Sequence, residues 1–428
     1  MKVAVVGSGI AGLAAAHALR WNSQVSLFEA GEHFGGHANT VDVTLGGVTH
    51  GVDTGFLVYN ERTYPGLIRL FAELGVATAK SDMSFSVQVP RAFGGRALEW
   101  SGTSLSSVFC QRANLGRPGF WRMLRDLLRF NRDATQIAES TWSGMDQSLG
   151  GFLDTRGYSR EFREWYLLPM IGCIWSGPTQ DMLRFPVGTL VRFCHNHGLL
   201  QIADRPQWYT VTGGSREYVR KIVDGLADAR VRTPVRRIER EEDGVWITTD
   251  AGTARFDRVV IATHPDQALA VLPDASALER GVLGAIRYQH NHAILHTDSS
   301  VLPRHRGAWA AWNYEASPAG AGRAVCLHYL INRLQPLPWE QPVIVSLNPV
   351  RRIDAAAVIR EFDYEHPVFD AGAVRAQRQL AQLQGRRNTW FCGAWAGYGF
   401  HEDGLVSGQA AAKALLVQRR IEEVEALA

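Results

Sequence analysis

The first 29 residues constrain the fold more than any other part of this 428-residue chain. Val3-Ala4-Val5-Val6 reads as a short buried parallel strand, Gly7-Ser8-Gly9-Ile10-Ala11-Gly12 comes immediately after it, and Leu13 to Leu19 reads as helix. In such a unit Gly7 permits the tight turn, Gly9 lets main chain approach a pyrophosphate, and Gly12 lets helix pack close on strand. Free N–H groups and the positive dipole end at the helix start favour the phosphates. A second strand, Gln24 to Phe28, ends in Glu29, 22 residues after Gly7, where a carboxylate can accept hydrogen bonds from ribose hydroxyls. The predicted ligand is a dinucleotide. This segment alone does not choose between NAD and FAD.

The residues beyond Glu29 narrow the choice. Gly35-Gly36-His37 comes six residues after Glu29, where a simple NAD domain would continue its helix. A hairpin is predicted next: Thr40 to Leu45 alternates, Gly46-Gly47 supplies the turn, and Val48 to Val52 returns to Asp53-Thr54-Gly55-Phe56. A second glycine pair and a glycine at the strand end let backbone pass close to a large flat cofactor. At the other end of the chain, Thr389 to Ala394 is strand-like and carries Gly393, and a loop from Trp395 to Leu405 precedes a helix expected from near Val406 to the C-terminus. Strand, glycine loop and helix start form a second seat for phosphate or flavin.

Hydrophobic content of 46% with 20% charge is ordinary for a globular protein, and a net charge of +3 argues against nucleic acid as a partner. The five cysteines (Cys110, Cys173, Cys194, Cys326, Cys392) show no metal-ligand spacing, so no metal is expected, and their odd number suggests a reducing compartment. Met1 to Leu19 imitates a signal peptide, but its spaced glycines argue against one. No run of 18 apolar residues occurs, and a cytoplasmic protein is expected.

Residues 60–200 read as mainly helical, with helical periodicity over Glu61 to Leu74, Pro118 to Ile137, and Gly151 to Trp175 with a break at Pro169. Tyr166 to Trp175 is apolar all round, as either core, the favoured reading, or a tunnel wall. Thr212-Gly213-Gly214-Ser215 opens a helix to about Leu226 with Ser215 as N-cap. A meander comes next (Val235 to Arg240, Val245 to Thr249, Thr253 to Phe256), and Arg258 to Thr263 reads as another buried parallel strand.

On these motifs the chain resembles the flavin amine oxidase superfamily, which includes monoamine oxidases, carotenoid desaturases and protoporphyrinogen oxidases. The resemblance implies FAD. It implies contacts from Gly7, Ser8, Gly9, Ile10, Ala11 and Gly12; from Phe28, Glu29 and Ala30; and from Gly35, Gly36 and His37. Further contacts would come from Thr54, Gly55 and Phe56, from Val235 and Thr263, and from Gly393, Ala394, Asp403, Gly404 and Leu405. The implied fold is α/β: a Rossmann-like FAD-binding domain of the glutathione-reductase and amine-oxidase type (1–60, 205–265, 386–428). It is interleaved with an α+β substrate domain of antiparallel sheet and helices (61–204, 266–385). VDTGFLVYNERTYP (52–65), RPQWYTVTGGSREYV (205–219), YEHPVFD (364–370) and GYGFHEDGL (397–405) are similar to one bacterial branch. Its members are often encoded beside cyclopropane-fatty-acyl-phospholipid synthase-like methyltransferases. That likeness implies a desaturase or oxidase of phospholipid acyl chains, with O2 as acceptor and a lipid methyltransferase as partner. An amine oxidase for a small amine and a non-catalytic FAD-binding partner are the alternatives.

Many amine oxidases place a lysine near flavin N5, but the four lysines here (Lys2, Lys80, Lys221, Lys413) are poorly placed for that. Asn291 or His292 lies where that lysine would fall. His292, His401 or Glu402 could act as general base, since imidazole titrates near neutrality. Tyr59 and Tyr398 are candidates for lining the flavin face. His290, His292 and His296 fall on one strand face by period two. From Phe120 to Arg132, four arginines (Arg122, Arg125, Arg129, Arg132) share one helical face while Leu124, Leu127 and Leu128 share another. Such a helix is either an ordinary surface helix or one that lies on an anionic bilayer, peripheral to the inner membrane.

Overall fold

The computed structural model describes all residues except 141–143, 145–146, 178–181, 202–204, 318–324 and 427–428. At its centre is a five-stranded parallel sheet in the order Asp228–Arg230, Gln24–Phe28, Lys2–Val6, Arg258–Ile261 and Thr389–Phe391. Val3 to Val6 are at most 5% exposed, as expected for a strand covered on both faces. Register aligns Val6 with Phe28 and Ile261, and Ile261 with Phe391. The carboxyl ends of Lys2–Val6, Arg258–Ile261 and the edge strand Thr389–Phe391 are therefore level, and Gly7, Ala262 and Cys392 emerge side by side.

Two helices close over that edge. The opening helix, Ile10–Leu19, packs against the closing helix, His401–Glu425, and no side chain separates them where they cross. A Cβ on Gly408 would collide with the Ala11 carbonyl, and one on Gly404 would lie 2.7 Å from Ile10 Cγ2. The closing helix starts at His401, five residues before the expected Val406, because Asp403 Oδ2 accepts the Phe400 N–H at 2.9 Å and satisfies a group at the helix start.

The meander forms a three-stranded antiparallel sheet (Val235–Arg240, Val245–Thr249, Gly252–Phe256). A seven-stranded sheet lies beyond, in the order Val358–Val368, Arg287–His296, Ile344–Leu347, Cys326–Leu330, Trp312–Glu315, Phe85–Phe93, Arg96–Ser101. Its last two strands correct the helical reading of residues 60–200, as do Tyr59–Asn60 and Thr78–Ser81. Phe85–Phe93 owes its state to two partners, Arg96–Ser101 across the Gly94-Gly95 turn and Trp312–Glu315 more than 200 residues away; only the first is written in neighbouring residues.

Asp53 ties these parts together. Its buried carboxylate accepts from Thr40 Oγ1 (2.6 Å), from Ser215 N–H (2.9 Å) and hydroxyl (2.8 Å), and from Gln335 Nε2 (2.9 Å). Ser215 thus precedes helix Arg216–Val223 without capping it through its own side chain; its hydroxyl serves Asp53.

The helix Pro118–Ala138 divides into three sectors rather than two. Phe120, Met123, Phe130, Ala134 and Ile137 are buried in the core. Trp121, Leu124, Leu127, Leu128 and Asn131 face an internal chamber, and Arg122, Arg129 and Arg132 take the remaining sector with Arg125 at the boundary.

Gly408→Val forces the two helices apart. The substitution should cost about 2–3 kcal/mol by overpacking, read as a lowered thermal midpoint. Serine at the neighbouring exposed position, Val406→Ser, should leave the midpoint within about 0.5 kcal/mol of the parent.

Candidate functional site

Gly7 has φ +98°, and its N–H donates to the Phe28 carbonyl at 2.8 Å. A Cβ there would lie 2.9 Å from the Ala262 carbonyl oxygen, and one on Gly12 would strike the Gly7 carbonyl, so both positions are closed by protein. Gly9 differs: with φ −59° and no protein atom within 4 Å of an added Cβ, it faces open space. Gly36 comes up beside it, at 3.2 Å from the Gly9 Cα by the same measure, and Gly9 forms a bridge with Gly35. The two glycine turns predicted from sequence are therefore one surface.

Glu29 is half-buried at its edge. One carboxylate oxygen accepts from the Ser8 hydroxyl (2.5 Å) and N–H (3.0 Å), and the other accepts from the Gly31 N–H (2.7 Å). These bonds orient the acid and leave lone pairs for ribose hydroxyls. Phe28 is buried behind it and Ala30 is exposed. Val235 begins a strand two residues after Thr233, whose N–H donates to the Glu29 carbonyl at 2.7 Å. Thr263 lies against Gly7 and accepts from the Trp395 indole at 3.2 Å, which joins the first turn to the closing loop. Gly393 N–H donates to Ser407 Oγ at 3.2 Å, Ala394 borders Gly404, and Leu405 is fully buried. Asp403 has its pKa raised by burial to about 6.

Around His37 the structure assembles a group that spacing alone did not show. The His37 ring stacks on Tyr364 and lies near His366, both at 5.1 Å between centroids. Tyr364 OH is 2.7 Å from Thr54 Oγ1 and accepts from Asn39 at 2.9 Å. Gly55 sits on the His37 carbonyl, which accepts the Phe56 N–H at 2.7 Å, and Phe56 stacks on His401 at 3.7 Å. Asn291 Nδ2 contacts His366 Nδ1 at 2.9 Å while its oxygen accepts from Asn348 at 2.8 Å. The amide therefore donates to Nδ1, which leaves the His366 proton on Nε2. Tyr364 and His366 share one face of Val358–Val368, and their Tyr-x-His spacing at period two was the available signal.

The candidates for catalysis are placed differently from expectation. His292 is 44% exposed and paired with Glu361 at 2.9 Å, on the strand face opposite buried Asn291. His290 shares that exposed face, while at His296 the face is covered and the ring is bound to Ser346 at 2.6 Å. Glu402 accepts from the N–H groups of Gly66 (2.6 Å) and Leu67 (2.9 Å) at the start of helix Pro65–Leu74, so its oxygens serve that helix end. His401 Nε2 meets Tyr218 OH at 2.7 Å, and burial lowers its pKa to about 3, too weak a base for proton abstraction near neutrality. Tyr59 packs on Tyr64, Phe71 and Tyr209 in the core. Tyr398 lies in the closing loop, its carbonyl accepting from Trp175 at 3.2 Å and its ring 5.7 Å from Phe193. All four lysines are exposed. Among the described residues, Glu315, Cys326 and His328 bring donor atoms within 4.8 Å of one another, but Arg351 already pairs with Glu315 at 2.8 Å and makes this an ion-paired core.

The chamber has a volume of about 880 Å³, within the ~300–1,000 Å³ of small-molecule sites. Phe85, Trp100, Leu124, Tyr166, Met170 and Ile174 are among the apolar residues of its wall. His197 lies at its inner end, stacked on Phe193 (3.9 Å) and 5.9 Å from Phe400, so the chamber ends against the closing loop.

These surroundings fit FAD on two observations: the open space before Gly9, and the buried Nε2 of His37, which has no hydrogen-bond partner. Gly9→Val should lose flavin absorbance on purification and keep the thermal midpoint of the flavin-stripped parent, because the new methyls occupy only ligand space. The buried histidines add a pH dependence. Burial lowers His197 and His366 to about 4 and His401 to about 3, against an ordinary 6.5. Their folded-state values are depressed, so the stability they contribute is complete above about pH 6.5 and is lost as pH falls toward 4. Urea unfolding should show each costing on the order of 1–2 kcal/mol between about pH 7 and pH 5.

Comparison with known proteins agrees with this geometry. A flavin-containing monoamine oxidase of Mycobacterium tuberculosis, so named provisionally, is 27% identical over 281 residues, 63% of this chain and 58% of its own. The chain thus spans under two thirds of the length of that curated relative. Putrescine oxidase bound to putrescine matches in fold at TM-score 0.67 and 18% identity over 97% of this chain and 99% of its own. Cyclohexylamine oxidase from Brevibacterium oxydans matches at 0.68 and 18% over 98% and 99%, and a fatty acid isomerase from P. acnes at 0.69 and 15% over 96% and 97%. The sequence profile of the flavin containing amine oxidoreductases matches residues 10–301, more than half of the chain, and the chain belongs to that family, with FAD as its cofactor.

Proposed function

We propose that this chain is an FAD-dependent oxidoreductase that desaturates or oxidises a lipid acyl chain, methylated or unsaturated, as found in phospholipids. The observation that carries the reading is the chamber's charge. Among the described residues that line it, the one carboxylate, Asp82, already accepts from Ser84 N–H and Oγ (both 2.8 Å) and pairs with Arg333 at 3.2 Å. The other charged residues among the described lining are Arg125 and Arg205, which repel an ammonium and suit an anionic head on an apolar tail. Bound FAD supplies the acceptor for a hydride, and dioxygen reoxidises it. The protein holds the chain against the aromatic inner wall and excludes water there. His366, its Nδ1 occupied by Asn291, offers an Nε2–H donor beside His37.

A second reading, oxidation of a small amine, is favoured by the family and by the putrescine and cyclohexylamine oxidases of the same fold. Anaerobic titration separates the two. Unsaturated and methyl-branched acyl chains in detergent should bleach the flavin and, under air, lose two hydrogens by mass spectrometry. Bleaching by polyamines but not by lipids would replace the lipid reading. A flavin that neither bleaches would support a non-catalytic partner of a lipid methyltransferase.

A further inference from the structure

We infer that the mouth of the chamber is a docking surface for an anionic phospholipid bilayer. The inference rests on the acyl-chain reading and adds where the substrate enters.

Three residues that line the chamber are also among the most exposed large hydrophobic side chains described: Leu105 at 80%, Leu128 at 54% and Trp121 at 49%. Leu115, 52% exposed, adjoins them, its carbonyl accepting the Trp121 indole N–H at 2.9 Å. These residues come from three separate elements, Leu105–Val108, Arg112–Gly116 and Pro118–Ala138, so the patch is a product of the tertiary fold. Scattered exposed leucines need no explanation, but a contiguous apolar patch continuous with an apolar interior does. Tryptophan with its N–H satisfied suits the interface between headgroup and acyl chain.

Charge selects the occupant. Arg125, with 73% of its side chain exposed, and exposed Arg205 stand on the chamber lining, and Arg132, 69% exposed, extends the basic sector one turn beyond Leu128. Among the described residues, the acids beside these arginines on the helix are committed: Asp126 is 1% exposed beneath Arg125 and Arg129, Asp133 accepts from Tyr158 at 2.9 Å, and Glu161 pairs with Arg122. An apolar rim inside a basic border matches acyl chains beneath anionic headgroups. A protein partner would need opposing carboxylates and a shaped counterpart instead. In this geometry the helix Pro118–Ala138 presents Trp121 and Leu128 to the lipid at the chamber mouth, its arginines at the phosphates and its buried sector anchored in the core. An acyl chain drawn from the bilayer then passes Leu128 and Trp121 into the chamber without crossing water.

Flotation of the FAD-loaded protein with vesicles tests this. Vesicles of phosphatidylglycerol and phosphatidylcholine should carry the protein, pure phosphatidylcholine far less, and about 1 M salt should release it. Leu115→Ser with Arg132→Glu, neither on the chamber lining, should weaken vesicle binding about tenfold at an unchanged thermal midpoint and flavin content. The same variant should turn over detergent-dispersed acyl chains as the parent does. Failure to bind anionic vesicles, or binding indifferent to these substitutions, would overturn the docking surface. In either case turnover in detergent would leave the acyl-chain reading intact. Salt-sensitive vesicle binding without turnover of any acyl chain would sustain the surface and sink that reading.

Discussion

Everything in this molecule depends on the contact of two helices from opposite ends of the chain with no side chain between them. Gly404 and Gly408 let the closing helix rest on Ile10 and Ala11, and this brings the Trp395 loop over the first glycine turn. A methyl group at the crossing would separate them, and the second seat for the cofactor would move with it. The level carboxyl ends of Lys2–Val6, Arg258–Ile261 and Thr389–Phe391 extend the same constraint into the sheet, placing three loops along one crevice.

Burial then decides what chemistry those loops offer. His37, His366 and His401 sit where their charged forms are costly, so they act as neutral donors, acceptors and stacking partners. Asp53, raised by burial to about 6, is held by hydroxyl, amide and main-chain donors rather than by a cation in direct contact. It links the hairpin, the Arg216–Val223 helix and Gln335, which follows the short helix Ile331–Leu334. The site is thus polar but weakly charged, and the apolar chamber reaches toward it at His197, 5.9 Å from Phe400.

The glycine turns, Glu29, the hairpin, the meander and the closing motif were legible because each is written in a few adjacent residues. Backbone that must turn tightly or approach a phosphate admits little but glycine, and alternation at period two is local. The catalytic candidates were less legible. Glu402 and His401 carry the right functional groups, yet one is spent on a helix end and the other on Tyr218 and Phe56. Of Asn291 and His292, the pleat turns the asparagine inward and the histidine to solvent, a choice that depends on which face of the strand is covered.

By itself, then, the sequence determined that a dinucleotide-binding unit begins at Gly7, that an acid waits at Glu29, and that a matching loop returns at the far end. Those are steric and electrostatic requirements met by neighbours in the chain. Tertiary structure alone decided that Asn291, Tyr364, His366 and His37 meet, and that Leu105, Leu115, Trp121 and Leu128 form one rim. Contacts such as His37 with Tyr364 and Asn291 with His366 join residues tens to hundreds of positions apart, and what brings them together is the burial of other surfaces, which no local spacing encodes.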